Sequence, residues 1–419
     1  MKYIFIILLT LCGLQCYSQS KTEYLENNRY DLNDGNFDFP QKDFSILGFG
    51  AYHGSAKTED VEIALLKSLT KSSTVKYYLP ETDFSTAYYF NEFLEKGDTL
   101  LLRDLVTYYG ISVNQERTIQ VYQKWKQLKE INDRLPDSAK LRVIGVDIIN
   151  NLKYVSMHIS ELVNNSGNTL APISEIRNMI KTDTVTYHGK NSRYASSQLK
   201  NLIRHYEDNK TLYQNHITNI AEFEHIIRNL KVVFGLLEEE REQLLYSNYV
   251  SLDSIYDFKH HPQFMRIGFS HLQKSREGKK GYPYFFTRLL ENNTYAKEAV
   301  ISVIGYLTNS KVIWDEVYDD NGNYTGYTVE EGMGIGDYEK EYFRGIQNLK
   351  DTKISDKTLF RLNKNDSPYT NPEPDLIEVI MPGKESNGEH VKGMATTDFL
   401  DYAVLISDSP ESIPIFEME

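Results

Sequence analysis

Apolar and polar positions follow two rhythms along this chain. Phe44 to Phe49 is a short apolar run that passes into glycines around one histidine, Gly48-Phe49-Gly50-Ala51-Tyr52-His53-Gly54. Thr58-Glu59-Asp60 then opens a helical spacing that places Val61, Leu65, Leu66 and Leu69 on one face. A second run, Val75 to Leu79, ends at Pro80-Glu81-Thr82-Asp83 and precedes the stripe Ala87, Phe90, Phe93 and Leu94. A third stripe, Ile119, Tyr122, Trp125 and Leu128, leads to Leu141–Val146, which ends at Asp147. Short apolar runs separated by patterns of helical period predict parallel strands joined by right-handed crossovers. Open α/β sheets gather their chemistry at the C-terminal ends of such strands. His53, Glu81 and Asp147 all stand at those ends.

The texture changes over residues 152 to 250, where Leu199, Leu202, His205 and Tyr206 share one face and Ile217, Ile220, Phe223, Ile226, Ile227 and Leu230 another. This predicts a helical insertion, residues 151–250, within the α/β pattern. Strands resume at Phe264 to Phe269, which ends at Ser270-His271, and at Ala299 to Tyr306. Asp319 to Gly334 reads as a hairpin or flexible loop, because Asp-Asn-Gly-Asn is turn chemistry. Asn363 to Pro374 reads as a mobile lid inside an irregular stretch, 319–393, before Phe399 to Ile406 closes as an apolar strand. The expected architecture is therefore α/β: a mainly parallel sheet flanked by helices. Its first half spans 44–150 and its second 251–419, behind a polar arm at 19–43. No internal repeat is visible.

The first residues read as a targeting signal. Lys2 supplies the charge, Tyr3 to Leu14 the apolar core and Cys16-Tyr17-Ser18 the small-residue cleavage site. That core is shorter than the roughly 18 apolar residues a membrane span needs. Residues 1–18 are thus expected to be removed from an exported, periplasmic or secreted protein. Lipidation of Cys16 is the weaker alternative, since Gln15 stands where a lipobox has a small residue. Cleavage would remove both cysteines, Cys12 and Cys16, and leave core burial as the source of stability. The 40% hydrophobic content supplies such a core. A formal charge of −13 argues against nucleic acid and anionic lipid as partners. The 31 tyrosines either stack on sugar rings or a macrocycle, or serve as half-buried phenols.

A glycine-flanked histidine at a strand end can act as base, metal ligand or donor, or can satisfy a loop carbonyl. Glu81 is the functional carboxylate of its pair and Asp83 the cap of the following helix. Asp147 is either a site residue or a helix cap. His271 closes Gly268-Phe269-Ser270-His271, which repeats the Gly-x-x-His spacing of Gly50 to His53. Ser270 is not a hydrolase elbow, because Leu272 stands where the second glycine belongs. His260-His261, beside Pro262, reads as a solvated pair.

Five stretches, in order from about 44 to 408, resemble the erythromycin esterase-like family, within the wider group that also holds the ChaN and TraB/Tiki proteins. They are Gly48 to Ser55; Leu79 to Asp83 with Ala87 and Asn91; Val143 to Asp147; Arg241-Glu242 with Asn248; and Asp398 to Ile406. The resemblance implies water activation by His53, with Glu81 as its partner and His271 as a second-site histidine. It implies support from Asp83, Asp147 and Arg241. Two positions depart from the family pattern. Gly50 stands where a glutamate precedes the histidine, and Lys274 stands where His-Asn-x-His has its second histidine, so Lys274 is either an electrostatic stabiliser or a surface lysine. The expectation is a hydrolase of an ester, lactone or peptide. His53, Glu81 and His271 are also the expected ligands if a divalent metal, Zn or Mn, assists. The alternative is a non-catalytic haem, iron or small-molecule binder of the same fold.

Overall fold

Parallel strands covered on both faces need apolar side chains in both directions, and the central strands here have them. The computed structural model describes residues 20–72, 75–109, 113–164, 170–182, 193–332 and 336–418. The predicted leader, 1–18, lies outside the described residues. Every residue of Ile46–Gly50 (β2), Gln263–Arg266 (β5) and Val300–Thr308 (β6) is buried. With Arg29–Asp31 (β1), Tyr77–Pro80 (β3), Arg142–Val143 (β4), Lys357–Arg361 (β11) and Tyr402–Ser407 (β13), they form one sheet ordered β1-β11-β13-β6-β2-β5-β3-β4. From β13 to β4 the pairings are all parallel; β11 and β1 add an antiparallel edge. The mainly parallel α/β sheet expected from the sequence is the one observed. Lys311–Tyr318 (β7) and Tyr324–Glu331 (β8) form a separate hairpin. Asp337–Tyr338 (β9), Glu341–Phe343 (β10) and Val379–Ile380 (β12) make a small third sheet.

Successive residues of β6 divide between two apolar clusters. Ile301, Val303 and Leu307 face one; Val300, Ile304 and Tyr306 face the other. The first cluster is completed by Ala56–Ser72 (α2), Phe84–Lys96 (α3), Thr99–Tyr109 (α4) and Ile119–Asp133 (α5), through Leu65, Phe90, Leu105 and Trp125. Helices of the predicted insertion, from Leu152–Leu162 (α6) to Arg241–Tyr256 (α11), complete the second through Ile159, Leu202, Phe223 and Leu245. The insertion is thus one layer of an α/β/α sandwich. Each aliphatic side chain so buried contributes about 1.5–3 kcal/mol relative to exposure. Among the described residues no helix is long and apolar enough to cross a membrane.

Three expectations change. The polar arm at 19–43 is built into the fold: Lys21–Asn27 (α1) buries Tyr24 and Leu25 completely, and β1 extends the sheet. Residues 363–374, expected as a lid, pack against the first helix through Tyr369. Tyr369 is 1% exposed against the Tyr24 ring, and Lys21 pairs with Glu373 at 2.5 Å. The Leu141–Val146 run makes a strand over only two residues, Arg142–Val143, followed by single backbone bonds from Ile144 to Tyr78 and from Asp147 to Thr82.

Candidate functional site

Strand order brings together what the sequence keeps apart. β5 enters between β2 and β3 only after the whole helical layer has been traversed. In that register Phe49, Arg266 and Pro80 form one row across the three strands. The loops that follow, carrying His53, Gly268–His271 and Glu81, therefore leave the sheet side by side. Two glycines make the close approach feasible. A Cβ on Gly48 would lie 2.4 Å from Leu272 Cδ2, and one on Gly145 would lie 2.1 Å from the carbonyl oxygen of Asp83.

Two imidazoles face one carboxylate. His53 Nε2 is 3.6 Å from Glu81 Oε2 and His271 Nε2 is 3.8 Å from Glu81 Oε1. Behind each ring stands another glutamate. His53 Nδ1 hydrogen-bonds Glu116, while His271 Nδ1 lies 2.5 Å from Glu242 Oε1, a contact without the alignment of a hydrogen bond. Glu81 itself is held on both oxygens. Arg241 Nη2 donates to Oε1 at 2.7 Å and the Gly268 N–H donates to Oε2 at 2.8 Å. Arg241 is anchored in turn by Asp147, through Nε at 3.0 Å and Nη2 at 2.5 Å. Its Nη1 comes within 3.5 Å of His271 Nε2.

A buried layer of charge lies behind Glu116. Lys124 Nζ is 2.6 Å from Glu59 and 3.0 Å from Glu62; Arg266 Nε is 3.5 Å from Glu62. Burial alone would raise the Glu116 carboxyl, but the His53 charge and its hydrogen bond, with Lys124 and Arg266, bring it down to about 2. Burial alone would lower His53, but Glu116 and Glu81 outweigh it and the imidazole stands above its ordinary value. Glu81 is likewise expected by burial to rise, yet His53, His271 and Arg241 hold it below the usual carboxylate range. This arrangement can take up and return a proton at His53 Nε2, the imidazole whose basicity the two carboxylates raise.

The remaining sequence candidates separate. Asp83 caps α3, accepting from Ser85 and Thr86 N–H at 2.9 and 3.0 Å, and burial lifts its carboxyl to about 6. Asp147 is not a helix cap, since Asn151 caps α6 and Asp147 holds Arg241. Lys274 is neither a surface lysine nor part of the cluster: its buried ammonium pairs with Asp401 at 2.8 Å. Glu116 and Glu242 were not among the sequence candidates. Glu242 had a signal, as the neighbour of Arg241, but Glu116 comes from the turn Asn114–Glu116 with no strand end to mark it.

His53, Glu81 and His271 do not suit a divalent metal. The Arg241 guanidinium, a permanent cation, pairs with one Glu81 oxygen at 2.7 Å and stands within 3.5 Å of one would-be ligand nitrogen, so it repels a second cation there. Among the described residues no group of three or more His, Cys, Asp or Glu is arranged to hold a metal ion.

No protein-family model matches the chain, and no curated protein does. Solved structures share its fold over nearly its whole length. A protein from Bacillus cereus, at 15% identity and TM-score 0.62, covers 95% of this chain and 99% of its own. A succinoglycan biosynthesis protein matches at 12% identity and TM-score 0.60, over 95% and 99%. A His→Asn variant of an erythromycin esterase, in its open conformation, matches at 13% identity and TM-score 0.54, over 89% and 92%. What is shared is the fold. The likeness to an erythromycin esterase is a distant one of fold alone.

Proposed function

We propose that the chain is an exported hydrolase that activates water between two histidine–glutamate pairs and cleaves an ester, lactone or peptide bond without a resident metal. The observation that carries this reading is the approach of both Nε2 atoms to Glu81, at 3.6 and 3.8 Å, with a glutamate on each Nδ1. The fold-level likeness to an erythromycin esterase agrees with ester chemistry and leaves the substrate open.

In this reading His53 Nε2 takes a proton from water as its oxygen attacks the carbonyl carbon. The C=O π electrons pass to the carbonyl oxygen, whose charge is met by Arg241 Nη1. Collapse of the tetrahedral adduct breaks the carbonyl–leaving-group bond, and His53 Nε2 returns its proton to the departing alkoxide or amine, which restores the neutral base, while His271 lines the other side of Glu81. Glu81 holds both rings facing the reacting atoms, while Glu116 and Glu242 position the imidazoles from behind.

The test is a panel of aryl esters, lactones and peptides offered to the wild type beside folded His53→Ala and Glu81→Gln variants, with elemental analysis of each. Hydrolysis lost in both variants, with no stoichiometric metal in the wild type, is the expected result. Activity retained in His53→Ala, or no hydrolysis across the panel, would overturn the assignment. Export is tested by N-terminal sequencing of the protein recovered outside the cytoplasm, with a mature start near residue 19 expected.

A further inference from the structure

Glu116 reaches His53 from outside the main sheet, and its turn is held by the β7–β8 hairpin. Gln115 Nε2 donates to the Trp314 carbonyl at 3.1 Å, and the Ile313 N–H donates to the Gly54 carbonyl at 3.0 Å. Both members of the His53–Glu116 pair are thus flanked by residues fastened to one strand. The strongest fastening is Arg117, directly after Glu116. Its Nε donates to Glu316 Oε1 at 3.1 Å and its Nη2 to Glu316 Oε2, a two-bond fork. The Glu316 carboxylate is 0% exposed and also accepts from Tyr318 at 2.5 Å. On the other side the Arg117 guanidinium lies over the Phe416 ring, 5.4 Å from its centroid.

Resting on the hydrolase reading above, we propose that Arg117 and Glu316 are a positioning pair that acts through Glu116 to set the orientation of the His53 imidazole. Backbone bonds alone leave the turn with a second support, the Ile415 N–H on the Arg117 carbonyl at 2.8 Å. That bond fixes the height of the chain at residue 117. The fork fixes its rotation toward β7, and rotation decides whether the preceding carboxylate meets Nδ1.

The experiment compares full-length Arg117→Met, Arg117→Lys and Glu316→Gln with Lys311→Met. The last variant removes an exposed pair of the same hairpin, Lys311–Glu331 at 3.0 Å, without touching the Glu116 turn. The first readout is the titration of the His53 imidazole by NMR, which needs no substrate. The second is the pH profile of kcat/KM. Arg117→Met and Glu316→Gln should let the His53 titration fall toward the ordinary histidine value. They should cut kcat/KM at neutral pH about tenfold, with a smaller loss in Arg117→Lys and none in Lys311→Met. An unchanged His53 titration in a folded but less stable Arg117→Met variant would overturn the proposal and leave the fork a structural tie. If no substrate is found, the titration still decides this inference, so its failure and that of the hydrolase reading are distinguishable.

Discussion

His53 and His271 differ instructively from His158 and His225. His158 and His225 lie in the helical layer, where the Phe84 ring packs against both, with centroids 5.6 and 5.0 Å away. His158 also stacks on Tyr88 at 4.1 Å. Their polar contacts are neutral ones, Ser85 Oγ for one and Asn229 for the other, and His158 Nε2 and His225 Nδ1 have no hydrogen-bond partner. Burial holds each at about 3, so both are neutral in use. His53 is also desolvated, yet its imidazole is pushed the other way because two carboxylates face it. Burial by itself makes a histidine inert. Burial beside a fixed anion makes it a base, and only the second arrangement supports chemistry.

The largest effect should come from the carboxylate both rings face. Glu81→Gln and His53→Ala are each expected to reduce hydrolysis about a thousandfold or more, measured as kcat/KM on the best ester found. The same assay on a His158→Asn/His225→Gln variant should stay within a few-fold of wild type. A loss there as great as in Glu81→Gln would erase the distinction between the two histidine pairs.

Next in size is the contrast between the two orienting glutamates. Glu116 makes an aligned bond to Nδ1 and Glu242 a contact without alignment. Glu116→Gln is therefore expected to cost about a hundredfold in kcat/KM and Glu242→Gln about tenfold. The sign of the pH effect follows from the charges. Removing the Glu116 anion lowers the His53 pKa, so the base is neutral at lower pH and the acid limb of kcat/KM moves down. An acid limb that stays in place would remove Glu116 from its role.

The buried pair answers in stability instead of rate. A histidine near 3 in the native state and near 6.5 when unfolded leaves the unfolded chain with more bound protons between those values. Stability is thus lost as pH falls through that window. At pH 5 each site costs about 2 kcal/mol relative to neutral pH, because unfolding releases a strong proton acceptor. Asp83, raised to about 6, works the other way and returns about 1 kcal/mol over the same range. Urea midpoints at pH 7 and pH 5 check this. The slope should flatten in the His158→Asn/His225→Gln variant, even though that variant starts less stable. An unchanged slope would place the acid sensitivity elsewhere.

Much of this was legible in the chain because parallel strands announce themselves as apolar runs and their ends as His, Glu and Asp. His53, Glu81, Asp147 and His271 are strand-end residues, and sheet order brings all four to one edge. Glu116 was not legible. It sits in a three-residue turn whose position depends on a hairpin some 200 residues later, and no local pattern encodes such a contact. Lys274 escaped both readings, electrostatic stabiliser and surface lysine, for a related reason: its partner, Asp401, lies 127 residues away. The arm at 19–43 reads as polar because its buried apolar residues, Tyr24, Leu25, Leu32, Phe37 and Phe39, fall at no helical or strand period.

The smallest effect expected is that of a metal on the wild type, and it bears on the comparison most sharply. Histidines facing a carboxylate are what a zinc site offers, so the two His–Glu pairs invite that reading. Arg241 is what separates this cluster from one. It occupies Glu81 Oε1 at 2.7 Å and stands 3.5 Å from His271 Nε2, where a divalent ion would have to displace it. Chelator or added zinc should change wild-type hydrolysis less than twofold. Arg241→Met removes the fixed cation and frees one Glu81 oxygen, so this variant should gain zinc affinity measurable by calorimetry while losing hydrolysis. Zinc bound equally well by wild type and Arg241→Met would mean that the guanidinium is not the barrier, and the two histidines would then belong to a metal centre after all.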